Sequence, residues 1–202
     1  VTQAVHTLLM YATTLRAAYF PLRDKLVSEV VRLAPDQASV WAAAGRAMLY
    51  PKAMAVNAKR SHVASQLFEK ASRLAPHSAV YTLGAATACE WSGRLEEAEK
   101  WLEATLRATT TEGEPFLPGW FDHTTWMRWM RAVAERKAQL SVLHGEAYAR
   151  LAQMAVSNGQ PEKALDLAHH AHDTDPDNDG AIPLAADLLW DSGQRAEAIR
   201  LL

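Results

Sequence analysis

The chain has 202 residues, a formal net charge of −2 and a single cysteine, Cys89. This length suits one or two domains or one short repeat array, and it can bury a core that needs no cross-link. A single cysteine excludes an intramolecular disulfide, and the nearly balanced charge lacks the basic footprint of a nucleic-acid binder. We therefore expect no nucleic acid among the partners.

Residues 1–35 predict a pair of helices that differs from the rest of the chain. Residues 1–15 carry no formal charge, and their apolar positions follow a helical period. A bilayer span needs about 20 residues, so this stretch is either an amphipathic first helix or the end of a membrane helix that begins upstream. Pro21 divides the segment, Pro35 closes it, and no turn glycine separates the two halves. The pair is predicted to be a degenerate capping unit.

Two further helix pairs are predicted over residues 36–76 and 77–110. In both pairs small residues line the first helix, and alanines recur along the second helix until Pro76 or residue 110. The first pair is the looser copy, with extra residues expected near positions 50–60. In the second pair, Glu96, Glu97 and Glu99 lie on the polar side of a helix and are interpreted as a solvated face.

Residues 111–144 interrupt the pattern. Two prolines and two glycines mark residues 111–119 as a loop. A helix is predicted from about His123 to Gln139, with an apolar stripe that ends at Leu140 and a basic opposite side.

Two interpretations of this insertion stay open. Insertions in repeat arrays often carry function, so its aromatic residues are candidates for a docking surface. In the alternative, the helix packs onto the array as one extra layer, because aromatic stripes at helical spacing are typical of a core. The docking residues would be Trp120, Phe121, Trp126 and Trp129.

The clearest unit lies between Gly145 and Pro176. Its first helix carries an aromatic residue, a leucine and small residues on one face, and its second helix carries small residues at regular spacing. The first set is Tyr148, Leu151, Ala152 and Ala155; the second, after the turn glycine Gly159, is Ala164, Ala168 and Ala171. Two antiparallel helices approach closely only where such small residues face each other. This pattern closely resembles the tetratricopeptide repeat.

The same signs recur at a fixed offset. An alanine follows each turn glycine by five residues, at Gly93 with Ala98, Gly159 with Ala164, and Gly193 with Ala198. The resemblance implies an all-α, right-handed superhelical solenoid of antiparallel helix pairs, with one irregular helical insertion. The solenoid would span residues 1–202, with regular pairs at 36–76, 77–110, 145–176 and 177–202. Whether the array continues past Leu202 is left open.

The resemblance also implies that the first helices line an inner groove and that the chain binds a protein or a peptide there. The predicted groove residues are Arg46, Tyr50, Glu90, Trp91, Arg150, Gln153, Asp187 and Trp190. This mixture of charges with interleaved aromatic residues favours a peptide held partly by apolar contacts. Packing between neighbouring helices explains the aromatic residues equally well.

We find no motif for catalysis, neither a Gly-rich phosphate loop nor a nucleophile elbow, and predict no enzyme activity, catalytic residue or cofactor. His169, His172 and Asp173 share one helix face but lack the further ligand that zinc needs, so they are interpreted as solvated side chains rather than a metal site. Cys89 occupies an inward position among small residues and is predicted to be an inert core thiol.

The sequence therefore predicts a scaffold or adaptor in a multiprotein assembly. The alternative is a soluble array appended to a membrane-associated enzyme that builds the cell envelope, because the chain starts at Val1 rather than Met and its first residues are uncharged. A weaker alternative is a metal or small-ligand binder. Membrane association is expected only through an upstream segment, and the compartment is left open between cytoplasm and periplasm.

Overall fold

The structure is a computed structural model. It describes residues 20–49, 58–111, 123–135, 139–178, 180–191 and 193–201. The regular elements within these ranges are helices, and one isolated backbone bridge joins Ser78 to Thr110. No helix in the described ranges is long and apolar enough to cross a bilayer.

Each helix is labelled here in chain order. The helices are α1 (Phe20–Leu33), α2 (Ala38–Leu49), α3 (Ala58–Leu74), α4 (Ala79–Trp91), α5 (Leu95–Arg107), α6 (His123–Ala134), α7 (Gln139–Ser157), α8 (Pro161–Thr174), α9 (Ala181–Asp191) and α10 (Arg195–Leu201).

The helices pack in pairs that stack along one direction. Within the pairs, α2 packs on α3, α4 on α5, α7 on α8 and α9 on α10; between pairs, α3 packs on α4, α5 on α7 and α8 on α9. The first helices also meet, since α4 contacts both α2 and α7. Contacts restricted to neighbouring units are the signature of a solenoid, so the predicted all-α array of helix pairs is confirmed.

The turn between the two helices of a pair has the same geometry in three units. Gly93, Gly159 and Gly193 have φ of 79°, 69° and 85°, which is the left-handed region that favours glycine. The residue after each glycine donates its backbone N–H to a carbonyl five residues earlier, as Arg94 does to Cys89 at 2.9 Å and Gln160 to Ala155 at 2.9 Å. The predicted turn glycines are confirmed.

The alanines that follow these turns are the points of closest packing. Ala98 and Ala164 are 0% exposed and Ala198 is 1% exposed. Each donates its backbone N–H to the residue after the glycine, at 3.0 to 3.1 Å, and so closes the first turn of the second helix. The five-residue offset between glycine and alanine in the sequence therefore corresponds to one turn geometry followed by one buried position, repeated in three units.

The α1 helix is joined to the array through an arginine. Arg23 is fully buried and donates from Nη1 to the carbonyl of Ala47, near the carboxyl end of α2, at 3.2 Å. Asp24 on the same helix pairs with Arg60 of α3 at 2.9 Å. Residues 1–19 lie outside the described part of the chain, so the predicted capping pair at 1–35 stays a prediction.

The insertion helix ends earlier than predicted. A helix starts at His123 as predicted, but its predicted end at Gln139 was wrong, because α6 ends at Ala134 and Gln139 starts α7. Leu140, expected on the stripe of the insertion helix, therefore belongs to α7. No glycine or proline lies between residues 123 and 144, so no local signal marked this break.

Packing decides where α6 lies. Trp129 is 1% exposed and Ala132 is 4% exposed, and both belong to the main core with Val142 and Leu143 of α7. The burial of Trp129 and Ala132 agrees with the interpretation that this helix packs onto the array as an extra layer.

Candidate partner-binding surface

The predicted contact residues fall into three groups. Arg46 is 6% exposed and Trp129 is 1% exposed, so neither has surface to offer a partner. Tyr50, Trp120 and Phe121 lie outside the described residues, as does the side chain of Trp126. The remaining residues lie on three first helices: Glu90 and Trp91 on α4, Arg150 and Gln153 on α7, and Asp187 and Trp190 on α9.

The structure brings Glu90 and Arg150 into direct contact. Arg150 donates from Nη1 to the Glu90 carboxylate at 3.2 Å and to the Thr87 hydroxyl at 2.9 Å. The neighbouring first helices α4 and α7 are therefore joined by side-chain contacts at these positions.

A cavity of about 370 Å³ opens beside this ion pair. The α4–α5 side of the cavity carries Glu90, Leu95, Glu96 and Glu99, and the α7 side carries Arg150, Gln153 and Met154. Among the residues that line it, Glu90, Arg150 and Met154 are half-buried, whereas Leu95 and Gln153 are exposed to solvent. This size lies at the lower end of the range for ligand-binding pockets, which is about 300–1,000 Å³.

A chain of buried ion pairs connects the insertion to this cavity. Arg128 of α6 pairs with Glu146 of α7 at 2.7 Å and also with Asp175 just after α8. Glu146 then accepts from Nε of Arg150 at 2.7 Å, and Arg150 pairs with Glu90. The insertion helix therefore holds the arginine of the cavity in place through a single carboxylate.

The carboxylates of this network are poorly solvated. Burial raises the pKa of Glu90, although Arg150 acts in the opposite direction. Burial likewise raises the pKa of Asp175 against the opposing charge of Arg128. Negative charge at these positions is therefore costly, and a nearby cation would reduce that cost.

The predicted residues on α9 and Trp91 of α4 do not line the cavity. Trp91 is half-buried and packs against the main core. Trp190 is 50% exposed, with the guanidinium of Arg195 at 5.2 Å from its ring centre, and Asp187 is exposed. The predicted groove residues are thus not one continuous patch of contacts.

The histidines of α8 and the cysteine have ordinary surroundings. His170 stacks on Tyr148 of α7 with ring centres 5.4 Å apart. In the described ranges no three His, Cys, Asp or Glu residues are placed to share a metal ion. Cys89 is a buried free thiol whose pKa is raised to about 11 by burial, which confirms its predicted core position.

Residues 155–202, from the end of α7 through α10, match a family model described as tetratricopeptide repeat. Over this part of its length the chain is similar to tetratricopeptide repeats. A search of curated proteins found no match at a significant level. Tetratricopeptide repeats generally mediate protein–protein interactions, which agrees with the general class of function that the sequence predicted.

The sequence analysis missed the part of the candidate surface that α5 contributes. Leu95, Glu96 and Glu99 lie on a second helix, and the resemblance pointed only to first helices. Leu95 was the available signal, since it is an apolar residue that directly follows the turn and stays 56% exposed. Glu96 is exposed, as the solvated-face interpretation expected, but together with Glu99 it also lines the cavity.

Proposed function

We propose that this chain is a protein-interaction scaffold that holds a peptide or a partner surface against the face formed by α4, α5 and α7. The cavity beside the Glu90–Arg150 ion pair carries this proposal, since it combines exposed apolar surface with oriented polar groups. Leu95 and Met154 offer the apolar contact, and the Gln153 amide offers a donor and an acceptor.

The ion-pair network supports the same face. A binding surface needs side chains whose positions are set before the partner arrives, because freezing a mobile side chain on binding costs affinity. Arg150 is held by Glu146, Glu90 and Thr87, and Glu146 is held in turn by Arg128. Trp190 remains a second candidate contact because half of its surface is exposed.

Trp120 and Phe121 stay candidate contacts of the insertion, and Tyr50 stays one of the groove. The alternatives, an appended domain of an envelope-building enzyme and a binder of metal or small ligands, gain no support from the described residues. The assembly that contains the partner is therefore best sought by physical capture from the native host.

Site-specific photocrosslinking tests the proposal. A benzophenone amino acid replaces Gln153 at the cavity, Trp120 in the insertion, or Glu103, an exposed residue of α5 that does not line the cavity. We expect a discrete crosslinked partner from position 153 and none from position 103. The same products from both positions, or partner products from position 120 only, would overturn the proposed face.

A further inference from the structure

We infer that the cavity between α4, α5 and α7 accepts one basic side chain, lysine or arginine, from the partner. This inference rests on the proposed scaffold function and adds the chemistry of the recognised residue. It depends on the charge, the shape and the burial of the cavity walls.

The charge of the walls is unbalanced. Among the described residues that line the cavity, three carry carboxylates, Glu90, Glu96 and Glu99, and one, Arg150, carries a positive charge. That charge is shared, because Arg150 also pairs with Glu146 at 2.7 Å. Surface complementarity therefore favours a cation, and an acidic side chain would meet carboxylates on the α5 side.

Lys163 of α8 is a nearby cation that could compete with a partner's basic side chain for the carboxylate of Glu99. Its ammonium lies 3.3 Å from Glu99, and its side chain is 52% exposed. A solvent-exposed pair of this kind contributes little, so a better-placed cation from a partner displaces it at small cost. Glu96 has its side chain exposed at the rim.

The shape of the cavity suits a long side chain with a charged end. Leu95 and Met154 supply apolar surface, and the carboxylates of Glu90 and Glu99 line the same cavity. Lysine and arginine bury their aliphatic stems along apolar surface while their charged ends reach polar groups. Glu90 is half-buried, so a cation beside it is screened less by solvent than one on an open surface.

Fragment titration followed by NMR tests the chemistry directly. The probes are n-butylammonium, n-butylguanidinium, n-butanol and n-butanesulfonate, which share one stem and differ in their end groups. We expect the Met154 methyl signal to shift with the two cations more than with butanol, and least with the sulfonate. The methyl signal of Met127, which is 51% exposed on α6, is the internal control. Equal shifts for all four probes, or no shift of Met154, would overturn the inference.

A random heptapeptide library displayed on phage tests the same inference with a peptide. We expect selected peptides to carry lysine or arginine beside apolar residues, and replacement of that residue by norleucine to weaken binding about tenfold. The double variant Glu96→Gln, Glu99→Gln should weaken binding about fivefold to tenfold and reduce its salt dependence, since both carboxylates line the cavity. The matched control is Glu103→Gln on the same helix.

The outcomes separate this inference from the proposed function. Peptides that crosslink to position 153 without enrichment in basic residues overturn the basic-side-chain site and leave the scaffold face standing. Failure of position 153 to crosslink any partner, together with selection of peptides that bind elsewhere, overturns both.

Discussion

Two helix junctions in the array are filled by opposite kinds of side chain. Between the α2–α3 pair and the α4–α5 pair, Phe68 of α3 fits between Gly45 of α2 and Gly84 of α4, where an added Cβ would lie 2.8 Å and 2.5 Å from its ring. At the α7–α8 pair, a Cβ on Gly145 of α7 would lie 2.5 Å from the Cβ of Asp175, whose carboxylate pairs with Arg128.

This difference shows how one repeat geometry serves two purposes. The phenyl ring fills the first junction without a polar group, and its energy comes from dispersion and from apolar burial. The second junction contains Asp175, Glu146 and Arg128, and it borders the cavity beside Arg150. Apolar filling sets the spacing of units, whereas the charged junction also pairs with Arg150, which lines the cavity.

The largest expected effect breaks the charged junction. Arg128→Met leaves Glu146 and Asp175 buried without their cation, which should lower the free energy of unfolding by about 3–5 kcal/mol. Urea denaturation followed by circular dichroism measures it. Arg131→Met is the matched control, because Arg131 is 56% exposed and pairs weakly with Asp177 at 3.6 Å. Equal losses for the two variants would show that the buried network contributes no more than a surface pair.

The next effect breaks the apolar junction. Gly84→Ala places a methyl group against the Phe68 ring and should destabilise the fold by about 1–3 kcal/mol. The sign is informative, because helix propensity alone favours alanine over glycine by about 1 kcal/mol. Thermal or urea unfolding measures it, and Phe68→Leu in the same chain should recover part of the loss. A stabilised Gly84→Ala variant would mean that α3 and α4 lie further apart than described.

A smaller effect concerns the turns, which both units share. Gly93→Ala and Gly159→Ala place an L side chain at positive φ with nothing within 4 Å of the new Cβ. Each should therefore cost the same conformational energy, about 1–2 kcal/mol, measured by urea unfolding. Gly180→Ala, with no positive φ, is the control and should stay within about 0.5 kcal/mol. Unequal losses at the two turns would show that the units differ in more than their junctions.

The smallest effect is the pH dependence of the charged junction. Burial raises the pKa of Asp175 in the folded state, so the folded chain binds this proton more readily than the unfolded chain. The stability that Asp175 contributes should therefore increase as the pH falls from about 7 towards the ordinary aspartate pKa near 3.9, and be lost again as the pH rises.

Urea unfolding of the wild type and of Asp175→Asn at several pH values measures this dependence. As the pH falls, the free energy of unfolding of the wild type should increase relative to that of Asp175→Asn. Asp166→Asn, at an exposed position of α8, is the control. If acidification instead stabilises Asp175→Asn relative to the wild type, the raised pKa of Asp175 is contradicted.

The sequence by itself determined the helix pairs and their turns. Glycine at positive φ and alanine at a close helix contact are requirements of single positions, so Gly93, Gly159 and Gly193 and their alanines are readable without a structure. The core position of Cys89 followed from the same spacing. The pairing of Glu90 with Arg150 was partly readable, because both residues face the same way on successive first helices.

Only the tertiary structure decided where the insertion ends and what faces the cavity. Helix α6 ends at Ala134 with no glycine or proline nearby in the sequence, while Trp129 before this end and Val142 after it lie in one core. The cavity lies between α5 and α7, which are separated in the sequence by the insertion. Glu96 and Glu99 therefore line the same cavity as Met154 only because of how the units stack. Local spacing of residues specifies each helix pair. Contacts between different pairs join residues far apart in the sequence, so local spacing does not predict which side chains meet.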